Sequence, residues 1–182
     1  MAAWSLASGE DAKDVMDALS DALRRDADHE VREMAAWALG NLGSEQVIDA
    51  LSAALGDSSA VLRSTALWAL GSSGLDKAPR GVIAALRDPD KRVRRLAAWT
   101  LYSIEDPETV APLEAALTGE TEKDLRTAYI RALGAIGGES AEALGRLLDS
   151  PDPEVRAVVV NALAGRAGGP WPWPNPRPRP YP

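Results

Sequence analysis

The string VREMAAWALG at 31–40 returns as LRSTALWALG at 62–71 and as VRRLAAWTLY at 93–102, then more loosely as LRTAYIRALG at 125–134 and VRAVVVNALA at 155–164. Successive copies lie 31, 31, 32 and 30 residues apart. Arg32, Arg63, Arg94, Arg126 and Arg156 share one phase, and Leu39, Leu70, Leu101, Leu133 and Leu163 share another. A fixed period of this length marks a repeat architecture in which each unit is a small helical element that buries its apolar face only against its neighbours. The five leucines are expected to be buried at equivalent positions.

Working outward, each unit reads as two helices. The first, helix A, follows a polar turn such as Asp26-Ala-Asp28, Asp88-Pro-Asp90 or Ser150-Pro-Asp152, where Asp supplies a capping oxygen and Pro punctuates the chain. It is expected to end near the glycines at 40–43, 71–74 and 134–138. The second, helix B, is expected at 11–24, 45–55, 78–88, 107–117 and 141–148, with Pro79 and Pro107 in first turns that tolerate proline. The fold class is therefore an all-α, right-handed α-solenoid of about five helix pairs over residues 1–165, followed by an extended Pro-rich tail at 166–182.

The pattern D-x-D-x-x-V-R-x-x-A-A-x-A-L-G-x-[LI]-G resembles HEAT repeats, specifically the short kind associated with phycobilisome lyases. The resemblance covers about residues 1–165, and it implies a scaffold or partner-binding surface more than a chemistry. The Trp of AAWALG and the Pro-rich end are also similar to HEAT segments attached to BlaR-type membrane metallopeptidases. That likeness implies at most a companion segment, since the sequence holds no HExxH.

Composition narrows the function. Phe and Cys are absent, so the core is aliphatic and small, with neither disulfides nor thiolate metal sites. Lack of Cys fits an extracellular or periplasmic location without fixing one. The net charge of −7 is uneven: residues 166–182 hold Arg166, Arg177 and Arg179 and no acid, which leaves the rest at −10. So acidic a body is a poor partner for phosphate backbones, which argues against nucleic acid. No apolar run approaches the roughly 18 residues of a membrane span, which argues against insertion.

Catalytic, cofactor and metal sites are not expected. His29, the only histidine, lies in the turn ADHEV with no companion ligands at metal-binding spacing. Asp26, Asp57, Asp88 and Glu120 each stand six residues before a phased arginine, a recurrence that points to a structural ladder joining turn and helix. The ladder arginines are Arg32, Arg63, Arg94, Arg126 and Arg156, and they are expected to join neighbouring repeats through turn carboxylates or carbonyls.

Candidate interaction residues are of three kinds. Trp37, Trp68 and Trp99 recur every 31 residues, and Trp4 stands in the matching context AAWSL. At about 100° per residue they point away from the stripe Val31, Ala35, Ala38, Leu39 and Leu42, and their slot later holds Arg131 and Asn161. An exposed row of indoles is expected, with packing between neighbouring A helices as the alternative. Next, Val158, Val159 and Val160 cannot all face one core, so the last A helix reads as an uncapped, adhesive end. The start reads likewise, because Ala2–Leu6 matches only the middle of a helix A. Finally, from Pro170 to Pro182 every second residue is Pro, an extended strand spanning roughly 40 Å at about 3.1 Å per residue, carrying Trp171, Trp173, Arg177, Arg179 and Tyr181.

These features point to a structural protein whose partners are other copies of itself, stacked head to tail. The alternatives are a monomeric interaction module from a larger receptor or peptidase, binding another protein, and, by the family resemblance alone, a chromophore lyase.

Overall fold

The computed structural model describes residues 10–42 and 47–166. Ten α-helices succeed one another in those residues: α1 Glu10–Arg25, α2 His29–Leu42, α3 Ile48–Ala54, α4 Ala60–Gly71, α5 Arg80–Ala84, α6 Lys91–Ile104, α7 Val110–Gly119, α8 Lys123–Ile136, α9 Ala141–Leu147 and α10 Pro153–Asn161. Short 3-10 turns extend α5 at Ala85–Arg87 and precede α7 and α9 at Pro107–Thr109 and Gly137–Ser140, and a π-helical turn follows α10 at Ala162–Arg166. Even-numbered helices are the A helices and odd-numbered ones the B helices. No strand occurs among the described residues, and no described helix is long and apolar enough to cross a membrane. The protein is an all-α solenoid.

Local chemistry sets the helix starts. Ser59 accepts from the Leu62 N–H at the head of α4, Asp90 from Arg92 at α6, and Asp152 from Glu154 at α10, each satisfying a donor with no partner inside its helix. Pro107 and Pro153 sit in first turns, where no N–H is needed. At the end of α6 the left-handed C-cap is Glu105, with φ 57°, where glycine would be the relaxed choice.

Each A helix packs on the B helix that precedes it and, among the described residues, on the neighbouring A helices. Leu39, Leu70, Leu101 and Leu133 are wholly buried at equivalent positions. Leu163 departs from the expectation and is 43% exposed. It lies in the π-helical turn after α10, and no described helix B covers it.

The A layer is tight because its flanks are small. A Cβ on Gly40 would lie 2.7 Å from both Ala69 Cβ and Trp68 Cζ3, and one on Gly71 would lie 2.5 Å from Trp99 Cζ3. The A helices end near their glycines as expected, α2 at Leu42 and α4 at Gly71, and Gly40 and Gly71 are also seats for the indole of the next A helix. Thr100, buried where other repeats have alanine, places its hydroxyl 2.9 Å from the Leu67 carbonyl of α4, a side chain to backbone hydrogen bond between A helices. Tyr129, at a position where earlier repeats have Ala35, Ala66 and Ala97, is wholly buried and donates to the Leu86 carbonyl at 3.1 Å. Burial pushes its phenol up to about 12.

Two glycine substitutions separate seat from helix. Gly71→Ala should lower stability by roughly 1–3 kcal/mol despite alanine's better helix propensity, because the added methyl meets Trp99. Gly145→Ala in α9, where a Cβ meets nothing within 4 Å, should raise it by about 0.5–1 kcal/mol. Thermal melts of the two variants check the sign in each case.

Candidate interaction faces

The phased arginines form a ladder along the turns that precede the A helices. Arg63 is the best-formed rung. Its Nη1 donates to the carbonyls of Asp57 and Ser58 in its own turn, at 2.9 and 3.1 Å, while Nε and Nη2 grip both oxygens of Asp88 in the next turn, at 2.7 and 2.8 Å. Arg32 treats Asp57 similarly, with Nε to Oδ2 at 3.1 Å, and Arg94 reaches Glu120 at 3.0 Å. Each turn acid thus faces backward. The side chains of Asp57, Asp88 and Glu120 accept from the arginine of the preceding repeat, and the backbone carbonyls of Asp57 and Asp88 accept from the arginine six residues on. The acid six residues before each arginine gives its backbone carbonyl at Asp57 and Asp88, while the ion pair joins two units, as expected of arginines that link neighbouring repeats.

The fourth rung is different. Ser150 stands where Asp57, Asp88 and Glu120 stand in their turns, so Arg126 reaches instead to Asp152 with a single contact of 3.0 Å, and its Nε is buried with no hydrogen-bond partner. The Arg63 and Asp88 side chains are 13% and 9% exposed, against 29% and 28% for Arg126 and Asp152. Burial pushes the Asp57 carboxyl up, but the Ser59 N–H and the Arg32 guanidinium outweigh it and hold the group below the usual carboxylate range. Asp88 follows the same pattern, with Arg63 and the Asp90 N–H opposing burial. The Arg92 guanidinium brings the Asp90 carboxyl down to about 2.

A second link runs through the turns within repeats. Asp106, almost wholly buried, accepts from the Ala78 N–H of the preceding repeat at 2.9 Å and from the Glu108 N–H at 2.9 Å. Sequence reasoning missed it, because no matching acid recurs in the other repeats.

The tryptophans are not an exposed row. Trp68 is 7% exposed over Gly40, and Trp37 and Trp99 are half-buried against the core. A wheel drawn for one apolar face misplaces them, since an A helix in a solenoid is flanked on both sides as well as covered from behind. The readable signal was the glycine 28 residues before each of Trp68 and Trp99. Trp4, Trp171, Trp173, Arg177, Arg179 and Tyr181 lie outside the described residues.

Of the three valines, Val159 is wholly buried and Val158 half-buried, so only Val160, 55% exposed, opens to solvent. Its phase is informative. The equivalent residues Ala36, Leu67, Ala98 and Ile130 are all wholly buried, and the Leu67 carbonyl takes the Thr100 hydroxyl of the following A helix. Val160 and Leu163 therefore mark the forward face of α10 as the same surface that is covered in the other A helices. At the opposite end, Val31 is 40% exposed, although Leu62, Val93 and Leu125 are no more than 1% exposed at its phase. Met34 beside it is 37% exposed, on the backward face of α2.

Comparison with known proteins settles the family. The profile of HEAT repeats matches residues 16–81, 53–134 and 79–164. The chain belongs to the HEAT-repeat family. Among solved structures, this HEAT chain is similar to one in the complex of CpcE and CpcF of phycocyanin lyase from Nostoc sp. PCC7120, at 29% identity and a TM-score of 0.66. The match covers 85% of this chain and 66% of that one, just under two thirds of its length. A designed armadillo repeat protein in complex with the peptide (KR)4 matches at 19% identity and a TM-score of 0.58, over 88% of this chain and 87% of that one. An engineered protein matches at 20% and 0.58, over 86% and 80%. The last two show the fold alone. A comparison with curated proteins gave no match.

The rungs make acid stability a direct readout. The folded carboxyls of Asp57, Asp88 and Asp90 sit below their unfolded values, so between about pH 4 and pH 2 the unfolded chain binds more protons. Their contribution is complete above about pH 4 and is lost as pH falls through the folded values. Arg63→Met should cost on the order of 3 kcal/mol at neutral pH and flatten that acid slope, as followed by urea melts across the range.

Proposed function

We propose that this HEAT-repeat chain is a non-catalytic scaffold whose partner is a further copy of itself. The forward face of α10 would meet the backward face of α2 of the next copy. One observation carries the reading: Val160 and Leu163 are 55% and 43% exposed at two phases that are wholly buried in α2, α4, α6 and α8. Apolar surface at those phases is what the next repeat covers inside the molecule, and covering it again gains hydrophobic free energy. Val31 and Met34 supply the matching half. An interface between two different faces of one chain is heterologous, so it extends into a filament or tube unless rotation closes a ring.

The Pro-rich segment 166–182 would lie along the neighbouring solenoid as a fastening. Its charge of +3 complements the −10 of the remainder, Trp171, Trp173 and Tyr181 offer rings for stacking, and Arg177 and Arg179 can meet carboxylates. A strand already extended loses little entropy when it docks. The second reading seats a different repeat protein on the same faces, and the likeness to a chain from the CpcE–CpcF complex favours it.

Light scattering after size exclusion, with electron microscopy, distinguishes the two. The full chain should grow in mass with concentration. Val160→Glu should hold it monomeric with unchanged helical circular dichroism, and deletion of 167–182 should weaken assembly. A full chain that stays monomeric at high concentration rules out the self-assembling scaffold.

A further inference from the structure

We infer that Arg156 and Asp26 are the two halves of one further rung of the arginine ladder, closed between copies of the chain. The inference rests on the self-assembling reading above and adds the contact that fixes the register and polarity of the stack.

Arg156 already holds the posture of a rung arginine. Its Nη1 donates to the Ser150 and Pro151 carbonyls at 2.6 and 3.1 Å, as Arg63 does to Asp57 and Ser58, and Arg94 to Asp88 and Pro89. In Arg63 the other edge of the guanidinium, Nε and Nη2, grips the carboxylate of the next turn. Among the described residues no carboxylate meets that edge of Arg156. Residues 155–182 hold no Asp or Glu. The arginine is oriented by its own turn towards a carboxylate that this part of the chain does not supply.

Asp26 is the complementary half. Its Oδ1 accepts from the Asp28 N–H at 2.9 Å, just as Asp57 accepts from Ser59, Asp88 from Asp90 and Glu120 from Glu122. In those three the carboxylate also takes an arginine from the preceding repeat. Among the described residues Asp26 takes none. It is half-buried and lines a concavity with Leu23, Arg32, Ala54 and Asp57, beside the first complete rung.

Repeat geometry makes the two ends match. If α10 takes the A-helix place before α1, for which the sequence itself offers only the half match Ala2–Leu6, then α1 becomes its B helix and α2 the next A helix. The turn between them, with Asp26, then falls where Asp57 falls relative to Arg32. The same step that covers Val160 and Leu163 with α2 brings Asp26 to Arg156. Head-to-head stacking would instead oppose two arginines, so the pair selects one polarity.

Charge exchange in the full chain tests this. Asp26→Asn keeps the oxygen that accepts from Asp28 and removes the charge, so the fold stays while the concentration needed for assembly should rise roughly tenfold. Arg156→Asp and Asp26→Arg, each checked for helicity, should each block assembly alone, by acid against acid and base against base. Mixing the two variants, or combining both changes in one chain, should restore it. If Asp26→Asn assembles at the wild-type concentration, or the exchanged pair fails to restore assembly while each chain is folded, the rung is wrong and the apolar reading stands. If Val160→Glu and the wild type are both monomeric, the reading beneath it fails as well.

Discussion

Close approach between successive A helices is the constraint on which the other features depend. Each A helix is short and apolar on more than one side, and it is stable only if both flanks are covered. Coverage at helix-to-helix contact requires small residues at the crossing, which Gly40 and Gly71 provide for the indoles of Trp68 and Trp99. A bulky residue in either place would push one repeat away from the next. Where α6 carries Tyr102 in that slot, the following helix carries Arg131 in place of tryptophan.

Because packing repeats, polar links repeat with it. The guanidiniums of Arg32, Arg63 and Arg94 satisfy carbonyls of the turn before their own helix and bind a carboxylate in the next turn, so one side chain fixes the spacing of two units. Partial burial strengthens the contact, since solvent screens it less than a surface pair. The ladder weakens towards the C-terminal end, where Ser150 replaces the acid and Arg126 is left with one contact and an orphaned Nε. Its last arginine, on α10, has its own turn but no next one among the described residues. Val160 and Val31, near the two ends of the described array, are exposed at phases that are wholly buried inside it.

Much of this was legible in the chain. The period, the helix pairs, the capping aspartates and the ladder phase follow from local chemistry, because propensity, N-caps and proline positions act within a few residues. The burial of Leu39, Leu70, Leu101 and Leu133 followed from phase alone. Leu163 shares that phase and is exposed, because burial also needs a neighbour to cover it.

What the sequence determined by itself was therefore the repeat and its register: which residues recur, which face of each helix is apolar, and where each helix starts. Tertiary structure decided which repeat each side chain answers to. Turn acids reach back to the preceding arginine, indoles lie on the preceding glycine, and Tyr129 reaches the carbonyl of Leu86 two A helices earlier. The physical reason is distance. Residues 25 to 43 positions apart are brought together by stacking, and a periodic sequence gives the same pattern whether a side chain points forward, backward or out. Only packed helices break that degeneracy.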